Sequence, residues 1–186
     1  MPPATPPAAT VLMSGGVDST ACAHFLKSTG AAVRGLFVDH GQAAAPSEIK
    51  ALGALGLHLG IDIELSRVVG ALGLGSGELV GRNAMLIFTA LFVTRAEPGL
   101  LAIGIHAGTS YFDCSPTFLS SAAQLVGEIT DGQVSLVAPF LEWSKRDIYD
   151  YFTTANLPLD LTYSCEAGSD PICGTCASCM DRAVLT

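Results

Sequence analysis

Four cysteines with metal-ligand spacing lie near the end of this 186-residue sequence: Cys165, Cys173, Cys176 and Cys179. Four thiolates in a C-x7-C-x2-C-x2-C arrangement can surround a zinc ion as a tetrahedron. Since all four positions are cysteine, no coordination position stays open, and the pattern predicts a structural rather than a catalytic zinc. An iron–sulfur cluster or a redox dithiol are the alternatives that the same residues allow.

A glycine-rich segment, Ser14-Gly15-Gly16-Val17-Asp18-Ser19-Thr20, follows an apolar run and precedes a helical pattern. Glycine lets the backbone approach an anion, the free N–H groups of a helix N-terminus attract phosphate, and hydroxyls at Ser14, Ser19 and Thr20 add donors. The segment matches neither the Walker loop nor the dinucleotide fingerprint. Two interpretations therefore remain: a phosphate cradle, or a tight strand-to-helix turn with a serine cap.

The segment resembles the signature of the PP-loop ATPases, which adenylate their substrates. That resemblance implies ATP and Mg²⁺, with Ser14, Gly15, Gly16, Asp18 and Ser19 holding the β- and γ-phosphates and Val17 and Thr20 completing the motif. It also implies that Val38 and Asp39, at the end of the second strand, lie beside the adenosine.

Apolar runs alternate with helical patterns along the chain. Strands are predicted at 8–13, 31–39, 61–65, 100–105 and 134–138, and helices at 17–29, 46–60, 82–96, 116–127 and 144–154, with a loop at 69–77. This alternation predicts an α/β fold with a doubly wound, mainly parallel sheet. We expect a flexible lead-in at 1–10, an ATP-binding domain at 11–160 and a zinc module at 161–186.

The two motifs together resemble the 7-cyano-7-deazaguanine synthase (QueC) family over nearly the whole chain. Further similar segments are Phe37-Val38-Asp39-His40-Gly41-Gln42, Gly81-Arg82-Asn83, Gly104 to Cys114, and Pro139-Phe140-Leu141 with Trp143 and Lys145. The resemblance implies that Lys145 neutralises phosphate charge, that Arg82 and Asn83 lie near the nucleotide or the substrate carboxylate, and that Asp113 binds the base. Their ordinary alternatives are a first-turn lysine, a helix cap and an Asx turn.

The family's reaction is ATP-dependent conversion of 7-carboxy-7-deazaguanine to an amide and then to a nitrile. Here the segment before Gly81 is short, and Ser115-Pro116 stands where the family has an arginine, which weakens the expectation of the nitrile step most. One alternative acceptor is a protein amine, as for relatives in antiviral operons. A binding module without turnover and a tRNA-thiolating enzyme are further alternatives.

Composition limits the partners. The net charge is −8 and only 14% of residues are charged, which argues against nucleic acid, including tRNA, as a partner. The sequence has neither an apolar run long enough for a transmembrane helix nor a signal peptide, so we expect a cytoplasmic protein with no membrane contact. A mean hydropathy of +0.47 and the family precedent predict a homodimer. The four histidines share no metal spacing and are expected to be structural.

Overall fold

The computed structural model describes residues 6–69, 79–106 and 108–185. Its strands are β1 (Ala8–Leu12), β2 (Ala32–Asp39), β3 (Ile63–Arg67), β4 (Gly99–Ala102) and β5 (Val134–Val137). Its helices are α1 (Val17–Ser28), α2 (Ala45–Leu59), α3 (Arg82–Val93), α4 (Pro116–Ile129), α5 (Lys145–Thr154) and α6 (Ala177–Leu185), with 3₁₀ turns at Phe112–Cys114 and Leu159–Leu161.

The five strands form one parallel sheet in the order β3-β2-β1-β4-β5. The chain builds outward from β1 to β3 on one side, then crosses back and continues through β4 on the other side. The predicted doubly wound α/β class is confirmed. In such a sheet the connections leave β1 and β4 in opposite directions, so a crevice opens beyond their carboxyl ends.

Alternating side chains of each strand build two cores, one on each face of the sheet. Val11 and Phe37 point toward the core formed with α1, α2 and α5. Leu12 and Leu36, their neighbours in the chain, point toward the core formed with α3 and α4. Both faces are covered at the centre of the sheet, which explains the largely apolar sequences of β1 and β4. At the two edges, β3 and β5 also contain exposed polar residues.

Several boundaries differ from expectation. Strand β3 begins at Ile63 rather than Ile61, because the Ile61 N–H donates to the Gly56 carbonyl and so completes the end of α2. The lead-in was expected to reach residue 10, but Ala8 already pairs with Ala32 in β1. Most of the predicted loop at 69–77 lies outside the described residues. Helix α6 within the cysteine-rich segment was not predicted.

Candidate functional site

The glycine-rich segment forms the turn between β1 and α1. Gly15 has a φ of +76°, and a Cβ there would lie 3.1 Å from the Glu48 carbonyl oxygen, so this position requires glycine. Among the residues that the structure describes, no side chain caps the N-terminus of α1 at Gly16. The N–H groups of the first turn therefore remain available to an anion, as a phosphate cradle requires.

The hydroxyls of this turn have different roles. The Ser14 and Ser19 oxygens lie 3.2 Å apart, and both residues line the adjacent cavity. Thr20 is fully buried, and its hydroxyl donates to the Gly16 carbonyl at 2.8 Å. The structure thus turns Thr20 into the helix rather than toward the cavity, because its rotamer satisfies a helix carbonyl.

Asp18 and Lys145 form an ion pair across the cavity. The Lys145 Nζ donates to both carboxylate oxygens of Asp18, at 2.7 and 2.6 Å. The Asp18 side chain is 27% exposed and the Lys145 side chain is 26% exposed. Asp18 lies in the first turn of α1 and Lys145 begins α5, where the capping box of Ser144 and Asp147 fixes the start of the helix. Two residues predicted separately as catalytic are therefore in direct contact.

The start of α3 brings Arg82 and Asn83 to the cavity wall. Asn83 is almost fully buried: its N–H donates to the Asp113 carboxylate at 3.1 Å, and its side-chain amide donates to the Asp113 carbonyl at 2.9 Å. The carboxylate of Asp113 is thus turned to the N-terminus of α3. Among the described cavity-lining residues, Arg82 and Asn83 are present and Asp113 is not.

The end of β2 places Val38 on the cavity wall but turns Asp39 away from it. The Asp39 carboxylate accepts from the Gly41 N–H at 3.0 Å and from Arg67 at 2.8 Å. The Gly41 hydrogen bond in particular lowers the pKa of Asp39. The side chain therefore stays ionised and closes the turn after β2.

Buried polar residues that sequence reasoning missed also line the cavity. The Nδ1 atom of His40 and the hydroxyl of Tyr149 are buried without a hydrogen-bond partner in the described part of the chain. Burial lowers the pKa of His40, and the neighbouring charge of Arg82 lowers it further. Glu48 is hydrogen-bonded to Gln42 at 2.8 Å, yet burial raises the pKa of its carboxyl. In the sequence, the position of His40 directly after a predicted strand was the signal that could have placed it at the cavity.

The cavity has a volume of about 370 Å³ and lies at the carboxyl ends of the strands. Its walls come from the turn after β1, the ends of β2 and β4, and the starts of α3 and α5. This volume falls within the range of small-molecule sites, roughly 300–1,000 Å³. Its position is the crevice that the strand order predicts.

The four cysteines of the predicted metal site converge. Their sulfur atoms all lie within 4.8 Å of one another, and those of Cys173 and Cys179 are 3.9 Å apart. Thiolates about 2.3 Å from a tetrahedral zinc would be about 3.8 Å from each other. Although burial opposes ionisation, a hydrogen bond from the Cys173 N–H helps to lower the pKa of the Cys165 thiol. The cluster is suited to binding a metal ion.

The cysteine cluster adjoins the cavity. The Tyr163 N–H, two residues before Cys165, donates to the Gly15 carbonyl at 2.9 Å. Arg182 on α6 donates to the Thr162 hydroxyl at 2.8 Å and to the Leu159 carbonyl at 2.6 Å. The Tyr163 bond ties the metal-binding segment to the glycine-rich turn, and the Arg182 bonds hold α6 to the residues that precede the first cysteine.

Comparison with known proteins places these features in a family. The family described as "Queuosine biosynthesis protein QueC" matches residues 8–80 and 74–184. The chain is 33% identical to a 7-cyano-7-deazaguanine synthase of Halobacterium salinarum, with 94% of this chain and 88% of that protein covered. It is likewise 33% identical to the same enzyme of Koribacter versatilis, covering 94% and 86%.

Solved structures share the fold. The U34-tRNA thiolase NcsA from Methanococcus maripaludis, solved with its 4Fe-4S cluster, matches with a TM-score of 0.54 and 15% identity, over 96% of this chain and 64% of that one. NMN synthetase from Francisella tularensis matches with a TM-score of 0.52 and 14% identity, over 89% and 68%. In the described part of the chain, no helix is both long and apolar enough to cross a membrane.

Proposed function

This chain belongs to the QueC family of queuosine biosynthesis proteins, and on that premise we propose that it adenylates the carboxylate of 7-carboxy-7-deazaguanine and couples the product to an amine. The supporting observation is the Asp18–Lys145 ion pair beside the uncapped start of α1. A carboxylate resists amines because its leaving group would be oxide. Adenylation converts that oxygen into part of a good leaving group.

The proposed reaction consists of adenylation of the carboxylate followed by attack of an amine. A carboxylate oxygen attacks the α-phosphorus of ATP, and the bond from that phosphorus to pyrophosphate breaks. An amine nitrogen then attacks the acyl carbon, the bond to the AMP oxygen breaks, and the surplus proton leaves to solvent. With ammonia the product is an amide. A second adenylation, on the amide oxygen, followed by loss of AMP and both amide protons, gives the nitrile.

The chain's own residues supply binding and charge neutralisation. The backbone of Gly15, Gly16 and Val17 and the hydroxyls of Ser14 and Ser19 would hold the phosphates, while Val38 would pack against the adenosine. Mg²⁺, which neutralises phosphate charge when bound, would be held by Asp18, since such sites use one or two carboxylates together with phosphate oxygens. Lys145, released from Asp18, would then pair with a phosphate oxygen.

The substrate side of the cavity is assigned to α3. Arg82 would pair with the substrate carboxylate and Asn83 would contact the base. Asp113 would act through its two hydrogen bonds to Asn83, which fix the start of the helix. The thiolates of the cysteine cluster would hold a structural zinc.

The acceptor amine separates two versions of this proposal: ammonia, which gives a small-molecule product, and an amine of a partner protein. Incubation with 7-carboxy-7-deazaguanine, MgATP and ¹⁵N-ammonium, followed by mass spectrometry, tests the first version. We expect AMP, pyrophosphate and a ¹⁵N-labelled amide or nitrile. AMP release without a labelled product would favour the protein acceptor, and no carboxylate-dependent AMP release would refute adenylation.

We further propose that the chain forms a homodimer. Large apolar side chains on α3, on the following 3₁₀ turn and on α4 are exposed, among them Phe92, Phe112 and Ile129. Sedimentation velocity measures the oligomeric state directly. A monomer at micromolar concentration would contradict this assignment.

A further inference from the structure

We propose that His106 is a neutral hydrogen-bond donor that holds an anionic oxygen of the ligand in the cavity. This role rests on the proposed function for the identity of the ligand. It assigns a binding contact to a histidine whose predicted role was structural. The ligand oxygen belongs either to a phosphate of ATP or to the carboxylate of the substrate, and both have the same acceptor chemistry.

The fold places His106 beside the glycine-rich turn. It follows β4, the strand that pairs with β1 at the centre of the sheet. Two residues earlier, Gly104 packs against the start of α1, where a Cβ would lie 3.1 Å from the Asp18 carbonyl oxygen. His106 is 8% exposed and lines the same cavity as Asp18 and Lys145. His106 therefore lines the crevice beside the glycine-rich turn.

A backbone hydrogen bond selects the tautomer of the ring. The Gly108 N–H donates to the His106 Nδ1 at 2.9 Å, so this nitrogen is an acceptor and carries no proton. In a neutral imidazole the proton then resides on Nε2. No group in the described ranges accepts a hydrogen bond from Nε2. One donor is thus oriented by the backbone and left for a ligand.

The surrounding groups favour the neutral ring. Burial lowers the pKa of His106; Asp18 on α1 opposes this effect, Lys145 on α5 adds to it, and Asp181 on α6 opposes it. The net direction is downward, so the ring is uncharged at neutral pH. A neutral donor does not compete with Lys145 for the Asp18 carboxylate. Its hydrogen bond to an anionic oxygen is still charge-assisted, because the acceptor is ionised.

NMR of the full chain labelled with ¹⁵N-histidine tests both the tautomer and the contact. The resonances of His106 are assigned by their loss in His106→Gln. At pH 7 we expect the Nε2–H tautomer, and an Nε2 shift on addition of either MgATP or 7-carboxy-7-deazaguanine alone. A shift with MgATP assigns the contact to a phosphate oxygen, and a shift with 7-carboxy-7-deazaguanine assigns it to the substrate carboxylate. A protonated ring, the Nδ1–H tautomer, or no shift when calorimetry shows both ligands bound would overturn the proposal.

Matched variants measure the strength of the contact. His106→Phe keeps a ring but removes the donor, and we expect affinity for the responding ligand to fall about 10- to 100-fold, as for loss of a hydrogen bond to a charged group. His106→Gln places an amide N–H near the former Nε2 and should recover most of this loss. His58→Gln, at an exposed position on α2, is the control for histidine removal. Equal affinity in His106→Phe and the wild type would contradict the donor role.

The two proposals can fail separately. If the wild-type chain releases no AMP in the presence of the carboxylate, the adenylation proposal fails. The ATP arm of the NMR experiment would still report whether His106 contacts a phosphate, since it depends on binding alone.

Discussion

The Asp18–Lys145 pair joins side chains that are 127 positions apart in sequence. Each was predicted from its own motif, and their contact follows from the parallel sheet, which brings the turn after β1 and the start of α5 to one edge. The directions of other side chains were not predictable in this way. The hydroxyl of Thr20 and the carboxylate of Asp39 bond to backbone groups of neighbouring residues, a local competition that a motif does not display. The carboxylate of Asp113 bonds to the backbone of Asn83, 30 positions away, a tertiary contact that a motif does not display either. The hydrogen bond from the Gly108 N–H to His106 could not be predicted from the sequence either.

The substitution Asp18→Asn should preserve the fold and lower carboxylate-dependent pyrophosphate release at least about 100-fold, since a charge at the reacting phosphates is lost. Asp150→Asn is the matched control, because Asp150 pairs with Arg146 at the exposed surface, where ion pairs contribute little. Activity in Asp18→Asn equal to that of the control would remove this carboxylate from the mechanism.

The central strands were predicted because both faces of the sheet are covered there, which produces largely apolar runs with helical patterns between them. The edge strand β3 was predicted instead from the alternation of apolar and polar residues at 61–65. Boundaries were less predictable where a residue serves the neighbouring element, as Ile61 does at the end of α2. Close approaches between elements, such as that of Gly104 to α1, arise only from the packed structure.

Gly104→Ala tests this approach between the segment after β4 and α1. The added methyl would lie 3.1 Å from the Asp18 carbonyl oxygen and 3.3 Å from the Ser19 nitrogen, so the first turn of α1 must shift. We expect ATP affinity to fall about 10-fold, a change of about 1.4 kcal/mol, as measured by calorimetry. Gly53→Ala on α2 is the control, since its methyl meets nothing within 4 Å. It should leave binding unchanged and increase stability by about 0.5–1 kcal/mol.

The capping box that begins α5 gives a pH-dependent contribution to stability. Hydrogen bonds from the Ser144 side chain and backbone lower the pKa of Asp147 below its ordinary 3.8. The stabilisation is therefore complete at a pH above the pKa of Asp147 in the unfolded chain. It is lost as the pH falls through the lower pKa of Asp147 in the folded chain. Ser144→Ala should lower the free energy of unfolding at pH 7 by about 1 kcal/mol in urea titrations. It should also bring the Asp147 pKa closer to its ordinary value.

Ser121→Ala, on the exposed face of α4, provides the comparison for the same substitution away from a helix start. There alanine should be neutral or slightly stabilising because of its higher helix propensity. A similar loss of stability in both variants would show that the cap of α5 contributes nothing particular.

Across the whole molecule, the metal-binding segment and the glycine-rich turn are predicted to act as one unit, because Tyr163 bonds to Gly15 beside Cys165. For the structural zinc proposed above, we expect the wild type to hold one zinc per chain, Cys176→Ser to hold less, and ATP binding in this variant to be at least about 10-fold weaker through the loss of oriented backbone donors. Metal analysis and calorimetry measure the two effects. Met180→Ala, at an exposed residue next to Cys179 that is not a ligand, should alter neither. Full ATP affinity in a metal-free variant would show that the two sites are independent.

The same hydrogen bond between Tyr163 and Gly15 has a consequence for thiol chemistry. An oxidant that links the cysteine sulfurs as disulfides would remove the ligands of a bound metal ion and reshape the segment around Cys165. Because only one residue separates Cys165 from Tyr163, the disturbance would reach the phosphate cradle without passing through the core of the sheet. Under the proposed function, ATP binding by this chain would therefore require that the four thiols stay reduced.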